Sequence, residues 1–198
     1  MHPQQTSLEI DLLAHFRGTS FASLNLTLEI QQLRKQNVTQ TFVGFSSTDI
    51  ESYKLMKEWE KLINFNFKFS SCQMHESLKG NDIIHVKASC RSRIKKGDTY
   101  IMLIGNDTRF KHKYLRWEAE VAMEKGCNII CVNLNGMRYF NPRLCPPIVN
   151  DIGAIFIPFA PEIIAHAITN YKKPSKGNYK YSHAVYKKLG MEKSVVVV

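Results

Sequence analysis

No stretch of this 198-residue chain approaches the ~18 consecutive apolar residues that a membrane-spanning helix needs, and Glu9 and Asp11 interrupt the apolar run that a secretory leader would require. A soluble, cytoplasmic protein with no membrane partner is the expectation. The five cysteines, Cys72, Cys90, Cys127, Cys131 and Cys145, form no CxxC pair and no Cys/His array with zinc spacing. Their odd number argues against a disulfide framework, so they read as core residues or free thiols. No GxGxxG follows the first predicted strand, and neither GxxxxGKS nor GxxxxGKT occurs, which removes the Rossmann dinucleotide site and the P-loop. A nucleophile elbow is also missing, and no Ser, His and Asp set stands out. His75 and His112 fall in predicted loops, where a ligand contact and a solvated histidine are both open. Asp49 and Asp107 each follow a strand at a distance, so they do not form the acidic pair of a phosphate-accepting receiver domain; each reads equally well as a cap or turn residue.

What the chain does have is enough apolar residue, 44%, for one real core. Its formal charge of +10 invites a nucleic-acid reading, but seven lysines against one glutamate after Tyr171 place most of that charge in a C-terminal tail. The remainder has an ordinary balance. Residues 172–198 are therefore expected as a solvated basic tail whose removal leaves the site intact, with Val195 to Val198 tucked against the domain or a neighbour. Tyr179, Tyr181 and Tyr186 among those lysines are the place where base stacking would occur; nucleic acid is not the expected partner. At the other end, residues 1–40 read as an N-terminal extension, with Leu8, Leu12, Leu13 and Phe16 at helical spacing and Leu24, Leu26 and Leu28 alternating. Its leucines predict a subunit contact or a packed arm.

Between these ends, short apolar runs alternate with helical periodicity. Thr41–Phe45 is a predicted strand, and Thr48 and Glu51 have capping-box spacing for a helix whose inner face is Leu55, Met56, Trp59, Leu62 and Ile63. Phe65–Phe69 follows as a strand, then Ile83, Val86, Cys90 and Ile94 at helical spacing up to Gly97, then the strand Thr99–Gly105. Cys127–Leu134 and Ala154–Phe159 are further strands, and Pro161 opens a helix with Ile163, Ile164, Ala167 and Ile168 inward. Strands that alternate with helices call for a five-stranded parallel sheet with helices on both faces, an α/β fold of flavodoxin-like order. Ligands in such sheets bind beyond the carboxyl ends of the strands.

One helix opens on that crevice. Lys113–Lys125 is closed by Gly126, and at about 100° per residue Leu115, Ala119, Ala122 and Met123 share a face that points inward while Arg116, Glu120 and Glu124 point out. Glu118 falls at the border of the inner face, in the second turn, beside Tyr114 and Trp117. A carboxylate there is partly desolvated. One carboxylate is an incomplete kit for ordinary glycoside hydrolysis, which uses two. It suffices where the leaving group needs no proton, as when cationic nicotinamide departs from NAD+ as a neutral base, leaving an oxocarbenium-like ribose that one glutamate can stabilise.

The run Thr41-Phe42-Val43-Gly44-Phe45-Ser46-Ser47-Thr48-Asp49, the strand from Tyr100 to Thr108, and Tyr114-Leu115-Arg116-Trp117-Glu118 followed by Lys125 to Val132 resemble a Toll/interleukin-1 receptor (TIR) domain. More narrowly, they are similar to the bacterial TIR-like branch that includes the TIR component of Thoeris antiphage defence. The resemblance covers about residues 41–171 and implies the flavodoxin-like TIR fold. It also implies NAD+ as substrate, with no cofactor and no metal, and cleavage at the nicotinamide–ribose bond by Glu118. Phe45, Ser46, Asp49 and Trp117 would bind substrate. In that branch the product is an ADP-ribose-derived signal, often cyclic, that reaches a separate effector protein after phage infection, so a phage-derived trigger and a homo-oligomeric assembly are implied partners. The segment Ser70 to Ser77 departs from the family pattern, lacking its acidic and tryptophan residues. Two other readings remain: a noncatalytic TIR-type scaffold, which predicts no NAD+ loss, and a nucleoside glycosyl-transferring enzyme, which predicts indifference to NAD+.

Overall fold

Six strands, each too short to bury itself alone, stack side by side in the order β2-β1-β3-β4-β5-β6, every neighbouring pair parallel. The computed structural model describes residues 39–61, 67–72, 81–110 and 113–192. They belong to one compact unit that begins at Thr39. Its strands are β1 (Thr39–Gly44), β2 (Phe67–Ser70), β3 (Thr99–Ile104), β4 (Asn128–Asn133), β5 (Ala154–Pro158) and β6 (Asn178–Tyr179). The helices are α1 (Ile50–Trp59), α2 (Asn81–Lys96), α3 (Lys113–Lys125), α4 (Pro161–Asn170) and α5 (His183–Lys188). The extension before Val38, Leu62, Ile63, His75, His112 and Val195 to Val198 lie outside the described residues.

A parallel sheet needs cover on both faces, and the side chains divide accordingly. Phe42, Tyr100, Met102, Ile104, Ile129 and Cys131 meet Ile94 of α2 and Leu115, Ala119 and Ala122 of α3 on one face. Val43, Ile101, Leu103, Val132 and Ile157 meet Met56 of α1, Ile163, Ile164 and Ala167 of α4 and Tyr186 of α5 on the other. The three-layer α/β arrangement expected from the pattern is present, with a sixth strand added at the edge. β3, between β1 and β4, is buried at all six positions.

Two local expectations need correction. Thr48 does not cap α1: it lies in a 3-10 turn (Ser47–Asp49), so the helix starts at Ile50 with Asp49 before it, and no side chain caps it. The Thr48 hydroxyl instead donates to Asp107, while Glu51 pairs with Lys54. Gly97 follows the last residue of α2 as expected, and only glycine fits there, since a Cβ would overlap the carbonyl oxygen of Gln40 in β1. The basic tail is the other expectation to correct, because its described part, to Glu192, is built into the fold. β6 pairs with β5, and Tyr186 is 1% exposed among the residues around α4. Arg138 lies 4.0 Å over the Tyr186 ring and donates to the Met191 carbonyl. Apolar faces of Tyr181, Val185 and Leu189 turn inward while Lys187 and Lys188 stay in solvent.

Candidate active site

Glu118 is more deeply placed than a helix border suggests. It is 3% exposed, within the buried face of α3 alongside Leu115, Ala119, Val121 and Ala122. Two neighbours explain how a carboxylate fits there. Gly44, the last residue of β1, has no side chain: a Cβ at this position would overlap the Tyr100 hydroxyl and stand 2.5 Å from Glu118 Oε2. The carboxylate thus leans on sheet backbone. Tyr100 of β3 directs its hydroxyl to Glu118 Oε2 at 3.4 Å and is the one hydrogen-bond donor to that carboxylate among the described residues.

Burial pushes the Glu118 carboxyl well above the ordinary carboxylate range, the nearby Cys72 thiol adds to the push, and the Tyr100 hydrogen bond opposes it. Cys72 follows β2 and is hydrogen-bonded to Cys90 of α2; that bond and the Arg93 guanidinium hold the Cys72 thiol below its usual value, against burial. No cation among the described residues pairs with Glu118. The site floor carries an uncompensated acid. All five cysteines are free thiols.

Above this floor, at the carboxyl ends of β1 and β3, a polar rim joins two loops. Thr48 Oγ1 donates to Asp107 Oδ1 at 2.9 Å and lies 3.0 Å from Ser46 Oγ. Thr108 accepts from the Gly105 amide at 2.8 Å and lies 3.4 Å from Asp49 Oδ2. Asp49 rests against Gly105, where any Cβ would collide with its carboxylate. From the same loop as Asp107 and Thr108, Arg109 donates to the Pro142 carbonyl, linking the segment after β3 to the one after β4.

Residues 42–139 match the family model described as Thoeris protein ThsB, TIR-like domain. The chain carries a TIR-like domain. Its matched span contains Gly44, Tyr100, Glu118 and the rim residues Ser46, Thr48, Asp49, Asp107 and Thr108, and the assignment supports a role in antiphage defence. Among curated proteins none matches the chain. The observed sheet and its two helical layers agree with the TIR fold.

Within the TIR-like domain, Ser46 and Asp49 share the rim, and Glu118 lies on the face bearing Tyr100. Phe45 is turned to the opposite face, its ring stacked on Tyr53 with centroids 4.7 Å apart. Trp117 packs beside the Glu118 face but is covered by α2, with Lys87 Nζ 5.3 Å and Arg91 5.9 Å from its ring. Sequence reasoning singled out neither Tyr100 nor Gly44. Both left a signal: a tyrosine inside an otherwise apolar buried strand needs a partner for its hydroxyl, and a glycine in a strand marks a close approach.

Proposed function

We propose that this TIR-like domain cleaves NAD+ at the nicotinamide–ribose bond, with Glu118 as the catalytic residue and an ADP-ribose-derived nucleotide, cyclic or linear, as the product. The observation that carries this reading is a buried carboxylate that has, among the described residues, a neutral hydroxyl partner and no cation. Such a group gains most from a ligand that brings positive charge to it. NAD+ does so twice, first as the nicotinamide cation and then as the oxocarbenium-like ribose. The C1′–N bond breaks with its electron pair leaving on nicotinamide, which departs neutral. The charge left on the ribose faces Glu118, and C1′ is then captured by water, which loses a proton, or by a nucleophilic group of the same nucleotide, which loses a proton where it is a hydroxyl. No step requires a metal or a second cofactor.

Ser46 and Asp49 on the rim present hydroxyl and carboxylate groups suited to ribose hydroxyls. Phe45 and Trp117, assigned to substrate by resemblance, would have to act from the opposite face and from beneath Lys87 and Arg91. In this reading the protein works in the cytoplasm as a homo-oligomer, responds to a phage-derived trigger and signals to a separate effector through its product. The exposed Phe110 (76%), Leu55 and Ile84 favour a second reading, a noncatalytic assembly module.

Mass spectrometry of products from the purified full chain given NAD+ separates the two. Nicotinamide release that is lost in Glu118→Gln and kept in Glu120→Gln is the expected result, because Glu120 sits on the outer face paired with Arg116. Equal loss in both variants, or none in either, defeats the catalytic assignment; intact NAD+ under every condition favours the scaffold.

A further inference from the structure

Tyr100 is wholly buried in β3, between Phe42 of β1 and Ile129 of β4, with its ring stacked on Phe42 at 6.0 Å. A phenylalanine would fill the same space, so packing alone gives the hydroxyl no task. A phenol oxygen at this depth needs a partner. Glu118 is that partner, and the gap beside Gly44, lined also by Leu115, takes the polar ends of both: any side chain at position 44 would strike the hydroxyl and the carboxylate.

We infer that Tyr100 is a positioning residue for Glu118, its hydroxyl fixing the direction in which the carboxylate faces the reacting ribose. This rests on the NAD+-cleaving reading for its catalytic consequence, though not for the contact itself. At 3.4 Å the hydrogen bond is long for a hydroxyl and a carboxylate, and it has room to shorten once the acid is charged. A hydroxyl that donates to the charged form favours it, which offsets part of the burial that disfavours it. The same pairing pushes the Tyr100 phenol further up, so it stays a donor throughout the working range. Among the described residues, the other titratable groups facing Glu118 are Cys72, after β2, and Cys90 of α2. The cations Lys87 and Arg91 of α2 lie over Trp117 instead.

Tyr100→Phe in the full chain tests the inference, with Tyr171→Phe as a control that removes a different buried hydroxyl, the one bonded to the Gly153 carbonyl. Tyr100→Phe is expected to lower kcat for NAD+ cleavage roughly tenfold or more while KM moves less than about twofold. The acid limb of its pH–rate profile should move to higher pH, and the Glu118 carboxyl, followed by carbon-13 NMR of labelled glutamate, should titrate higher than in the parent. Tyr171→Phe should move neither curve. Superimposable titrations of Glu118 in the parent and Tyr100→Phe overturn the inference, as does a fall in kcat with an unmoved pH profile, which would be a packing effect. If the parent cleaves no NAD+, the functional reading fails, and the carboxyl titration still decides the role of Tyr100.

Discussion

Replacing Glu118 by glutamine should make the protein more stable while it disables the site, and the size of the gain should depend on pH in a calculable way. Glutamine keeps the length of the side chain and an oxygen for the Tyr100 hydroxyl, and it removes a charge from a position 3% exposed. Because burial raises the Glu118 carboxyl in the folded protein, the native state keeps a proton that the unfolded chain gives up near pH ~4.3. Between those two values the native state binds more protons than the unfolded one, so wild-type stability falls as pH rises. The variant has no such dependence. The difference in unfolding free energy should be near zero at pH ~4, open by up to about 1.4 kcal/mol per pH unit, and level off where Glu118 ionises in the fold. In a protein of this size each kcal/mol corresponds to roughly 2–4 °C in Tm. Urea unfolding followed by the fluorescence of Trp59 and Trp117, in parallel for both proteins from pH 4.5 to 8.5, measures the divergence. Parallel stability curves, or a wild type more stable than the variant at pH 8, would refute the reasoning, since either would mean that the carboxylate is solvated or neutralised by a cation.

Gly44→Ala should destabilise by roughly 1–3 kcal/mol and abolish NAD+ cleavage, because the new methyl must displace the Tyr100 hydroxyl and Glu118; a fully active Gly44→Ala protein would contradict the described approach. Truncation after Lys173 removes β6 and Tyr186, and is expected to lower Tm sharply, with Tyr186→Ala alone costing about 3–5 kcal/mol in urea unfolding. An unchanged Tm after truncation would restore the picture of a solvated tail. A chain starting near Asn37, which keeps β1 whole, should show a lower mass in light scattering and weaker cleavage; equal mass with full activity rejects an assembling role for the extension.

The strands, their alternation with helices and the turn signal of Gly126, with φ +79°, can be read from apolar runs and punctuation because long periodic segments carry their own evidence. Glu118 can be picked out as well, since a helical wheel assigns faces. Its depth cannot, because depth depends on what a strand roughly 70 residues away leaves vacant, and Gly44 leaves room. Trp117 is assigned to substrate by resemblance and not by the wheel. It is next to Glu118 in the chain, yet the cations of α2 lie over its ring. The basic tail escapes such a reading because β6 has two residues and α5 six, too few for any period to emerge among lysines.

The ties across the strand ends have a mechanical consequence. Parallel strands share a dense ladder, whereas the loops that leave them are tied by side-chain contacts, among them Thr48 with Asp107, Arg109 with the Pro142 carbonyl, and Arg138 with Met191 and Tyr186. Where exposed, such contacts contribute about 1 kcal/mol or less each. The floor is different in kind, since Tyr100 stands on a strand with no exposed position. The rim is thus tied by side-chain contacts across loops, whereas the hydroxyl and carboxylate beneath it are aligned by a strand and a helix of the core.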